Sequence, residues 1–169
     1  MNDLPKRSHP RLKTVDYTCG WYFVTICTEG RKQLLSRISV GRGDHTPPQV
    51  ELTAAGQVAA KYMRGINRAY RNVSVETYVI MPNHIHMVIA IAPAADGGVR
   101  SPRPTTLMTV IRSFKTLVTR ELGRSIWQTS FYEHAIRCEE DHLRIWQYID
   151  QNPARWADDE YYQESPQGG

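Results

Sequence analysis

Residues 73–92 have the sequence VSVETYVIMPNHIHMVIAIA, and this segment gives the strongest indication of the fold. It contains two runs rich in β-branched and apolar residues, VSVETYVIM and HIHMVIAIA, and the pair Pro82-Asn83 lies between them. Two such runs joined by a two-residue turn are typical of a β-hairpin. We therefore predict a pair of antiparallel strands in this part of the chain.

Before the hairpin, the sequence predicts one strand and one helix. Residues 21–28 (WYFVTICT) are aromatic and β-branched, as expected for a strand that is buried on at least one face. Residues 41–48 (GRGDHTPP) have the composition of a loop. Thr53 can then cap a helix over residues 54–70. Apolar residues recur in this helix at four-residue spacing, at Val58, Tyr62 and Ile66.

A loop and a second helix are expected after the hairpin. Residues 93–104 are rich in Pro, Gly and Ala, which predicts a loop. Thr105 or Thr106 is expected to start a helix that runs to residue 122, and Gly123 is expected to end it. The apolar face of this helix consists of Leu107, Val110, Ile111, Phe114, Leu117 and Val118.

The remaining elements complete a recognisable order. Residues 130–137 (SFYEHAIR) can form a fourth strand, and residues 139–151 a last helix that ends before Pro153. The predicted order is βαββαβ with one further helix appended. Such a chain packs most simply as an α+β fold, a ferredoxin-like or RRM-like antiparallel sheet with two helices on one face.

Length and composition indicate one domain. The chain has 169 residues, of which 41% are hydrophobic, and this suffices for one buried core. We expect a flexible basic arm at residues 1–14, the domain at residues 15–156, and a loosely packed acidic tail at residues 157–169. The apolar runs are far shorter than the about 20 residues that span a bilayer, and no signal peptide is evident. A cytoplasmic protein with no membrane partner is therefore expected.

The cysteines exclude two kinds of site, whereas the distribution of charge does not select one function. Three cysteines without CxxC spacing argue against a disulfide framework and against a thiolate zinc site. The net charge is +4, and basic residues cluster in the middle of the chain. This cluster fits either a solvated helix face or a surface that binds a polyanion such as DNA. Its candidate DNA-binding residues are Arg100, Arg103, Arg112, Lys115, Arg120 and Arg124.

Two histidines in the hairpin are candidates for a metal site. His84 and His86 are two residues apart on a predicted strand, so both imidazoles point to the same face of the sheet. Neutral imidazole nitrogens held at a fixed separation can bind a metal ion. An isolated pair of this kind is more often a pair of surface or hydrogen-bonded histidines. A further ligand is therefore needed to support a metal site.

The last predicted helix offers that ligand. Tyr148 and Asn152 are four residues apart and so lie on the same helical face. The amide oxygen of Asn152 can complete a set with His84 and His86 that suits Mg²⁺ or Mn²⁺. The phenol of Tyr148 would then lie beside the metal, although Tyr148 could equally be a core or surface tyrosine.

Other tyrosines are weaker candidates. Tyr161 and Tyr162 lie in the acidic tail, where we expect them to be too near the end of the chain to be well positioned. Tyr132 and His134 share one face of the predicted fourth strand. Packing or DNA contact is the expected role of these two residues.

Three segments in combination resemble a known family. They are YVIMPNHIHMVI (residues 78–89), IWQTSFYEHAIR (residues 126–137) and YIDQNPARW (residues 148–156). In this order they resemble the REP-associated tyrosine transposases, a branch of the HUH single-tyrosine transposases of the IS200-like type. The resemblance runs from about residue 22 to residue 156.

The resemblance implies a role for each candidate residue. It implies that Tyr148 is the nucleophile and that His84, His86 and Asn152 hold the metal. It further implies cleavage of single-stranded DNA through a 5′-phosphotyrosine, as in transposition and recombination, on hairpin-forming, REP-like DNA. Related transposases outside this branch often have glutamine where Asn152 stands. A monomer and a homodimer both fit this reading.

Two other functions remain open from the sequence. One is a domesticated protein that binds hairpin DNA without cutting it. The other is a hydrolytic metal phosphoesterase, which we consider less well supported because no further carboxylate is close to His86 in the sequence. Both differ from the transposase-like function in that they form no covalent intermediate.

Overall fold

The computed structural model describes residues 17–39, 47–93 and 105–162, and these form an α+β fold. The described part of the chain contains three α-helices and six strands. In chain order they are β1 (Gly20–Cys27), β2 (Ser36–Ser39), β3 (Gln49–Leu52), α1 (Ala54–Ala69), β4 (Val73–Ile80), β5 (His84–Ile91), α2 (Leu107–Leu122), β6 (Tyr132–Ile136) and α3 (Glu139–Gln151).

Strands β4 and β5 form the hairpin that the sequence predicts. Their residues pair in antiparallel register, with Ile80 opposite Ile85. Three residues, at positions 81–83, lie between the strands rather than the two that we predicted. The backbone N–H of Met81 donates to the carbonyl of His84 at 2.9 Å, so pairing continues one step beyond the end of β4.

The main sheet has four antiparallel strands in the order β4-β5-β1-β6. The first predicted strand, β1, lies between β5 and β6, and both central strands are hydrogen-bonded on both sides. This is the strand order of the ferredoxin-like plan, so the predicted fold class is confirmed.

Side-chain alternation gives the sheet two different faces. On one face, Ile85, Met87 and Ile89 of β5 pack with Tyr22, Val24 and Ile26 of β1 and with the apolar sides of α1 and α2. On the other face, α3 packs on Phe23 and Val88 through Ile145 and Ile149. Two helices therefore cover one face, as predicted, and the appended helix covers the other.

Local signals in the sequence define the ends of the two long helices. The Thr53 side chain accepts from the backbone N–H of Gly56, and Thr106 accepts from Thr109 in the same way. Both threonines thus cap N–H groups that have no partner within the helix. Gly123 ends α2 with φ 69°, a left-handed conformation that glycine adopts without steric cost.

A small antiparallel ribbon, β2 with β3, was not predicted. Each strand has four residues and only one or two strongly apolar positions, which is too little for a periodic signal. The ribbon connects to the rest of the fold through Leu35, whose N–H donates to the carbonyl of Pro82 at 2.9 Å.

Several predictions concern residues outside the described ranges. The arm at residues 1–14 lies there, as do Arg100 and Arg103, and the domain limits stay a prediction. Within the described ranges, no helix is long and apolar enough to span a membrane. The expectation of a loosely packed tail is wrong for residues 159–161, whose contacts are described below.

Gly56 is expected to be indispensable for the docking of α1. A Cβ built at this position would lie 1.9 Å from the carbonyl oxygen of Leu35, which is backbone and cannot rotate away. Gly56→Ala should therefore lower the free energy of unfolding by at least about 1–3 kcal/mol, as measured by urea denaturation.

Gly65→Ala in the same helix is the matched control. No atom lies within 4 Å of a Cβ at Gly65, so the substitution gains helix propensity without a clash. It should raise the free energy of unfolding by about 0.5–1 kcal/mol. A neutral effect of Gly56→Ala would contradict the close approach of α1 to Leu35.

Candidate active site

His84 and His86 lie at the start of β5, on the face of the sheet that α3 covers. Their ring centroids are 4.4 Å apart, and the two residues are 0% and 1% exposed. The strand period of two predicts this arrangement. The prediction that both imidazoles share one face is therefore confirmed.

Asn83 determines the orientation of the His84 ring. The Asn83 Nδ2 donates to the backbone carbonyls of Arg31 at 3.1 Å and Tyr161 at 2.6 Å. The amide oxygen Oδ1 therefore faces Nδ1 of His84 at 2.8 Å, and Nδ1 must carry the proton that it accepts. Nε2 of His84 is left with a lone pair, and this buried atom has no hydrogen-bond partner.

His86 is held in a similar way from the neighbouring strand. Thr25 of β1 lies directly opposite His86, and its Oγ1 is 2.8 Å from Nδ1. Nε2 of His86 points to α3, where the phenol oxygen of Tyr148 is 3.4 Å away. Both histidines thus use Nδ1 for support and direct Nε2 toward the same space, as metal-binding histidines commonly do.

Burial keeps both imidazoles uncharged. It lowers the pKa of His86 to about 3. For His84, burial lowers the pKa well below its usual value, and the neighbouring His86 and the cationic Arg31 lower it further. Neutral imidazole is the form that binds metal ions.

Tyr148 lies on the side of α3 that packs on the sheet, although the sequence left open whether it is a core or a surface residue. Its ring contacts His86 and meets Phe23 edge to face, with centroid distances of 5.2 Å and 6.1 Å. Burial, with a contribution from the carboxylates of Asp159 and Glu160, raises the pKa of the Tyr148 phenol. The phenol is therefore protonated at neutral pH in this arrangement.

Asn152 follows Tyr148 by one helical turn and is 3% exposed. Its Nδ2 donates to Oδ2 of Asp159 at 3.0 Å. Its Oδ1 is buried without a hydrogen-bond partner, like Nε2 of His84. Buried polar atoms without partners are rare, and a shared ligand such as a metal ion would account for both.

Asp159 is the site residue that the sequence did not reveal. Its side chain is 2% exposed, and Oδ2 lies 4.0 Å from Nε2 of His84. Because His84 is neutral, this approach is not an ion pair, and burial raises the pKa of the carboxyl group. One donor atom each from His84, His86 and Asp159 lie within 4.8 Å of one another.

The chain after α3 folds back to bring Asp159 to the histidines. The 3₁₀ turn Pro153–Asp158 contains the buried Trp156, and Asp159 follows it. Our statement that no carboxylate lies close to His86 holds for the sequence but is wrong in space. Pro153 and Trp156 are the signals that could have indicated this fold-back.

Tyr161 also belongs to the site, contrary to the sequence prediction. Its ring centroid is 4.7 Å from that of His84, and the guanidinium carbon of Arg31 lies 4.9 Å from the Tyr161 centroid. The expectation that Tyr161 is too near the end of the chain to be positioned is therefore wrong. Its proximity makes it a second tyrosine to test as a nucleophile.

The donor set suits a divalent metal ion. Imidazole nitrogens of His84 and His86 and a carboxylate oxygen of Asp159 lie within 4.8 Å of one another, and Nε2 of His84 and Oδ1 of Asn152 have no hydrogen-bond partner. Mixed nitrogen and oxygen donors without thiolate are typical of sites for Mg²⁺, Mn²⁺ and related ions. A divalent metal is compatible with the site, and the donors do not identify which metal it would be.

The remaining candidates lie away from this site. On the face shared with the histidines, His134 Nε2 is 2.7 Å from Oδ2 of Asp141. Arg112 and Arg120 are exposed on α2, and Arg124 is exposed just after it, whereas α2 covers the opposite face of the sheet. These three arginines are not adjacent to the histidines.

Lys115 has a structural role that the sequence did not predict. Its Nζ donates to the carbonyls of Gln128, Thr129 and Ser130 at 2.8, 3.3 and 3.0 Å. An ammonium group has three donors, so it can supply one hydrogen bond to each of these carbonyls. Lys115 thus ties α2 to the segment that enters β6.

Comparison with known proteins gives a sequence relative and a structural neighbour. A Haemophilus influenzae protein described as uncharacterized is 31% identical over an alignment of 170 residues. The alignment covers 90% of this chain and 91% of that protein. No protein-family model matches the chain. A REP-associated tyrosine transposase bound to a REP hairpin is 23% identical, with a TM-score of 0.61 over 88% of this chain and 74% of that one. The fold implied by the sequence resemblance is therefore confirmed.

Replacing Lys115 tests its structural role. Lys115→Met leaves three carbonyls without their donor, so we expect the free energy of unfolding to fall by about 1–2 kcal/mol in urea denaturation. Arg112→Met, one turn earlier on the same helix and exposed, should change it by less than about 0.5 kcal/mol. Equal effects of the two substitutions would show that the hydrogen bonds of Lys115 do not stabilise the fold.

Proposed function

Because this chain belongs to the same family as the Haemophilus influenzae protein and has the fold of a REP-associated tyrosine transposase, we propose that it is a transposase-like DNA strand transferase. In this proposal it is an HUH-type endonuclease that cuts single-stranded DNA with Tyr148 and a divalent metal ion. The fold supports a transposase-like function, and the residues of the site support the more specific chemistry.

The main support for the proposal is the position of the Tyr148 phenol beside the two histidines. The phenol oxygen of Tyr148 lies 3.4 Å from Nε2 of His86, next to the unpartnered Nε2 of His84 and Oδ1 of Asn152. A tyrosine beside a set of metal donors suits nucleophilic attack on a phosphodiester, because the phenol supplies the nucleophile and a bound metal would stabilise the charge on the phosphate.

We assign His84, His86 and Asn152 as the metal ligands, and Asp159 as the carboxylate that supplies negative charge to the site. A divalent ion such as Mg²⁺ or Mn²⁺ held there would neutralise phosphate oxygens and stabilise the departing 3′ oxygen. Asp159 contributes through its hydrogen bond to Asn152 and through its approach to His84 at 4.0 Å.

The covalent step uses the Tyr148 hydroxyl. Its oxygen forms a bond to the scissile phosphorus while the bond from phosphorus to the 3′ oxygen breaks. The phenol loses its proton and the departing oxygen gains one, so the products are a 5′-phosphotyrosine and a free 3′-OH. A second 3′-OH can reverse the step and join strands, because the phosphotyrosine retains the energy of the phosphodiester bond.

We propose hairpin DNA with an unpaired flank as the substrate. An unpaired strand bends into a protein site at less cost than a stiff duplex. The solved neighbour is bound to a REP hairpin, which makes a hairpin the first ligand to test here. The proposed stem contacts are Arg112, Arg120 and Arg124, together with Arg100 and Arg103, which lie outside the described residues. Lys115 would contribute its positive charge nearby, while its Nζ holds the carbonyls of residues 128–130.

A hydrolytic metal phosphoesterase is a second candidate, because Asp159 gives the site the carboxylate that the sequence did not reveal. Such an enzyme would use water and would not need Tyr148. A binder without cleavage activity is the third possibility. A covalent protein-DNA adduct separates the first function from the other two.

We predict that Tyr148→Phe abolishes cleavage of a hairpin oligonucleotide and formation of the covalent adduct. The substitution removes one hydroxyl and keeps the ring that packs on Phe23, so folding and DNA binding should change little. Adduct formation is measured by denaturing gel electrophoresis with a 5′-labelled and a 3′-labelled strand.

Tyr161→Phe is the control for the nucleophile. It removes the other phenol beside the histidines and should retain the adduct. An adduct that survives Tyr148→Phe and disappears with Tyr161→Phe would move the nucleophile to Tyr161. Cleavage without any adduct would favour hydrolysis.

For the metal, His84→Ala and His86→Ala should each weaken Mn²⁺ binding by at least about tenfold in calorimetry, because each removes a proposed ligand whose ring Asn83 or Thr25 holds in place. Asn152→Ala should weaken it less, since a neutral amide oxygen is a weaker ligand. Metal-dependent cleavage should fall in the same order.

His134→Ala is the matched control, because His134 lies on the same face of the sheet and pairs with Asp141. It should leave Mn²⁺ affinity unchanged. Full cleavage activity in EDTA, or equal losses for His134 and His84, would refute the metal assignment.

A further inference from the structure

Arg31 lies at the end of the sheet where the two histidines begin β5. It ends a 3₁₀ turn, Glu29–Arg31, that directly follows β1. Its φ is 53°, and among the described residues it is the one non-glycine with positive φ. Such a conformation is unfavourable for a side chain and persists where surrounding contacts enforce it.

Contacts on two sides hold Arg31 in place. Its backbone carbonyl accepts from Nδ2 of Asn83 at 3.1 Å, which links it to the residue that orients His84. Its guanidinium donates to the backbone carbonyl of Glu160 at 3.2 Å and lies over the Tyr161 ring. The positive charge is also close enough to lower the pKa of His84.

A cleft of about 220 Å³ opens beside Arg31, on the side of the histidines that faces β6. Thr25, which supports His86, forms part of its wall. Of the described residues that line the cleft, Arg31 carries the only charge, since burial raises the pKa of Cys27 to about 11. Gln128, Ser130, Tyr132 and Tyr161 also line the cleft.

We infer that this cleft is the subsite for the nucleotide next to the scissile phosphate, and that Arg31 binds a phosphate of that nucleotide. The inference rests on the proposed function, which it extends by assigning a substrate-binding surface. It also gives roles to two residues, Arg31 and Gln128, that neither the metal site nor the nucleophile uses.

The chemistry of the cleft fits one nucleotide of a single strand. A guanidinium is a strong partner for phosphate, which it can bind through two parallel hydrogen bonds. The ring of Tyr132, which lines the cleft, offers a surface on which a base can stack, and stacking tolerates any base. The amide of Gln128 can donate to or accept from a base edge.

The position of the cleft fits the same occupant. It shares Thr25 with His86, so its contents lie one side chain away from the proposed metal ligands. A phosphodiester held between Arg31 and the histidines would lie across the β1 end of the sheet. The guanidinium already contacts a carbonyl oxygen there, so an anionic oxygen at that position would bind it more strongly.

A double-mutant cycle tests the inference by binding alone. The probe is a short, labelled, mixed-sequence single-stranded DNA, and a neutral methylphosphonate replaces each of its phosphates in turn. All proteins carry Tyr148→Phe, and affinities are measured by fluorescence anisotropy. Arg31→Gln should weaken binding of the unmodified DNA about tenfold, the effect of losing a charged hydrogen bond.

The expected result is coupling at a single phosphate. Replacing that phosphate should cost the protein with Arg31 about tenfold and the Arg31→Gln variant nothing further. Arg31→Lys, which keeps the charge and loses the paired donors, should fall between the two. Equal losses at every phosphate, or no loss with Arg31→Gln, would overturn the inference.

Two controls distinguish a specific contact of Arg31 from a general effect of charge and from misfolding. Arg64→Gln removes an exposed charge from α1, on the other face of the sheet, and should show no position-dependent coupling. The methylphosphonate series on the protein with Arg31 does not depend on how well Arg31→Gln folds. Cleavage by protein with Tyr148 intact is a separate readout, so failure of the strand-transfer proposal would be seen independently of failed coupling.

Discussion

Alternation along β5 is the constraint on which both the core and the site depend. Ile85, Met87 and Ile89 enter the core beneath α1 and α2, and this forces His84 and His86 to the opposite face. A shift of the register by one residue would bury the imidazoles among aliphatic side chains. The apolar residues therefore secure the position of the histidines, and both neighbouring strands stabilise it.

Asn83 extends this constraint beyond the sheet. One amide group binds Nδ1 of His84, the carbonyl of Arg31 and the carbonyl of Tyr161. It therefore joins the hairpin turn, the loop after β1 and the chain after α3 at one point. Because all of its hydrogen bonds are directional, the orientation of His84 depends on segments that are far apart in the sequence.

Periodicity and capping predicted most of the fold from the sequence. The hairpin, β1, β6 and the three helices each carry a run of apolar residues long enough to show a period, and Thr53 and Gly123 define helix ends. The ribbon of β2 and β3 was not predicted, because strands of four residues are too short to show a period. Alternation also paired His84 with His86, and helical spacing paired Tyr148 with Asn152. The family resemblance implied that the two pairs share one site.

Asp159, Tyr161 and Arg31 could not be predicted in the same way. The first two reach the site because the 3₁₀ turn after α3 reverses the chain, and neither helix nor strand periodicity describes such a turn. Arg31 reaches it through an unfavourable backbone conformation that distant contacts enforce. Local sequence signals report local structure, whereas these three positions depend on tertiary contacts.

The two faces of the sheet also limit how a hairpin could be bound. The arginines of α2 lie on the face opposite to the histidines, so a stem held by them must send its unpaired strand around an edge of the sheet. The β6 edge is suited to this path. Lys115 of α2 holds the carbonyls of residues 128–130, and Gln128 and Ser130 of that segment also line the cleft beside Arg31. A strand that ran from the proposed stem contacts past Gln128 and Ser130 would therefore reach the cleft, and then the histidines, at this edge of the sheet.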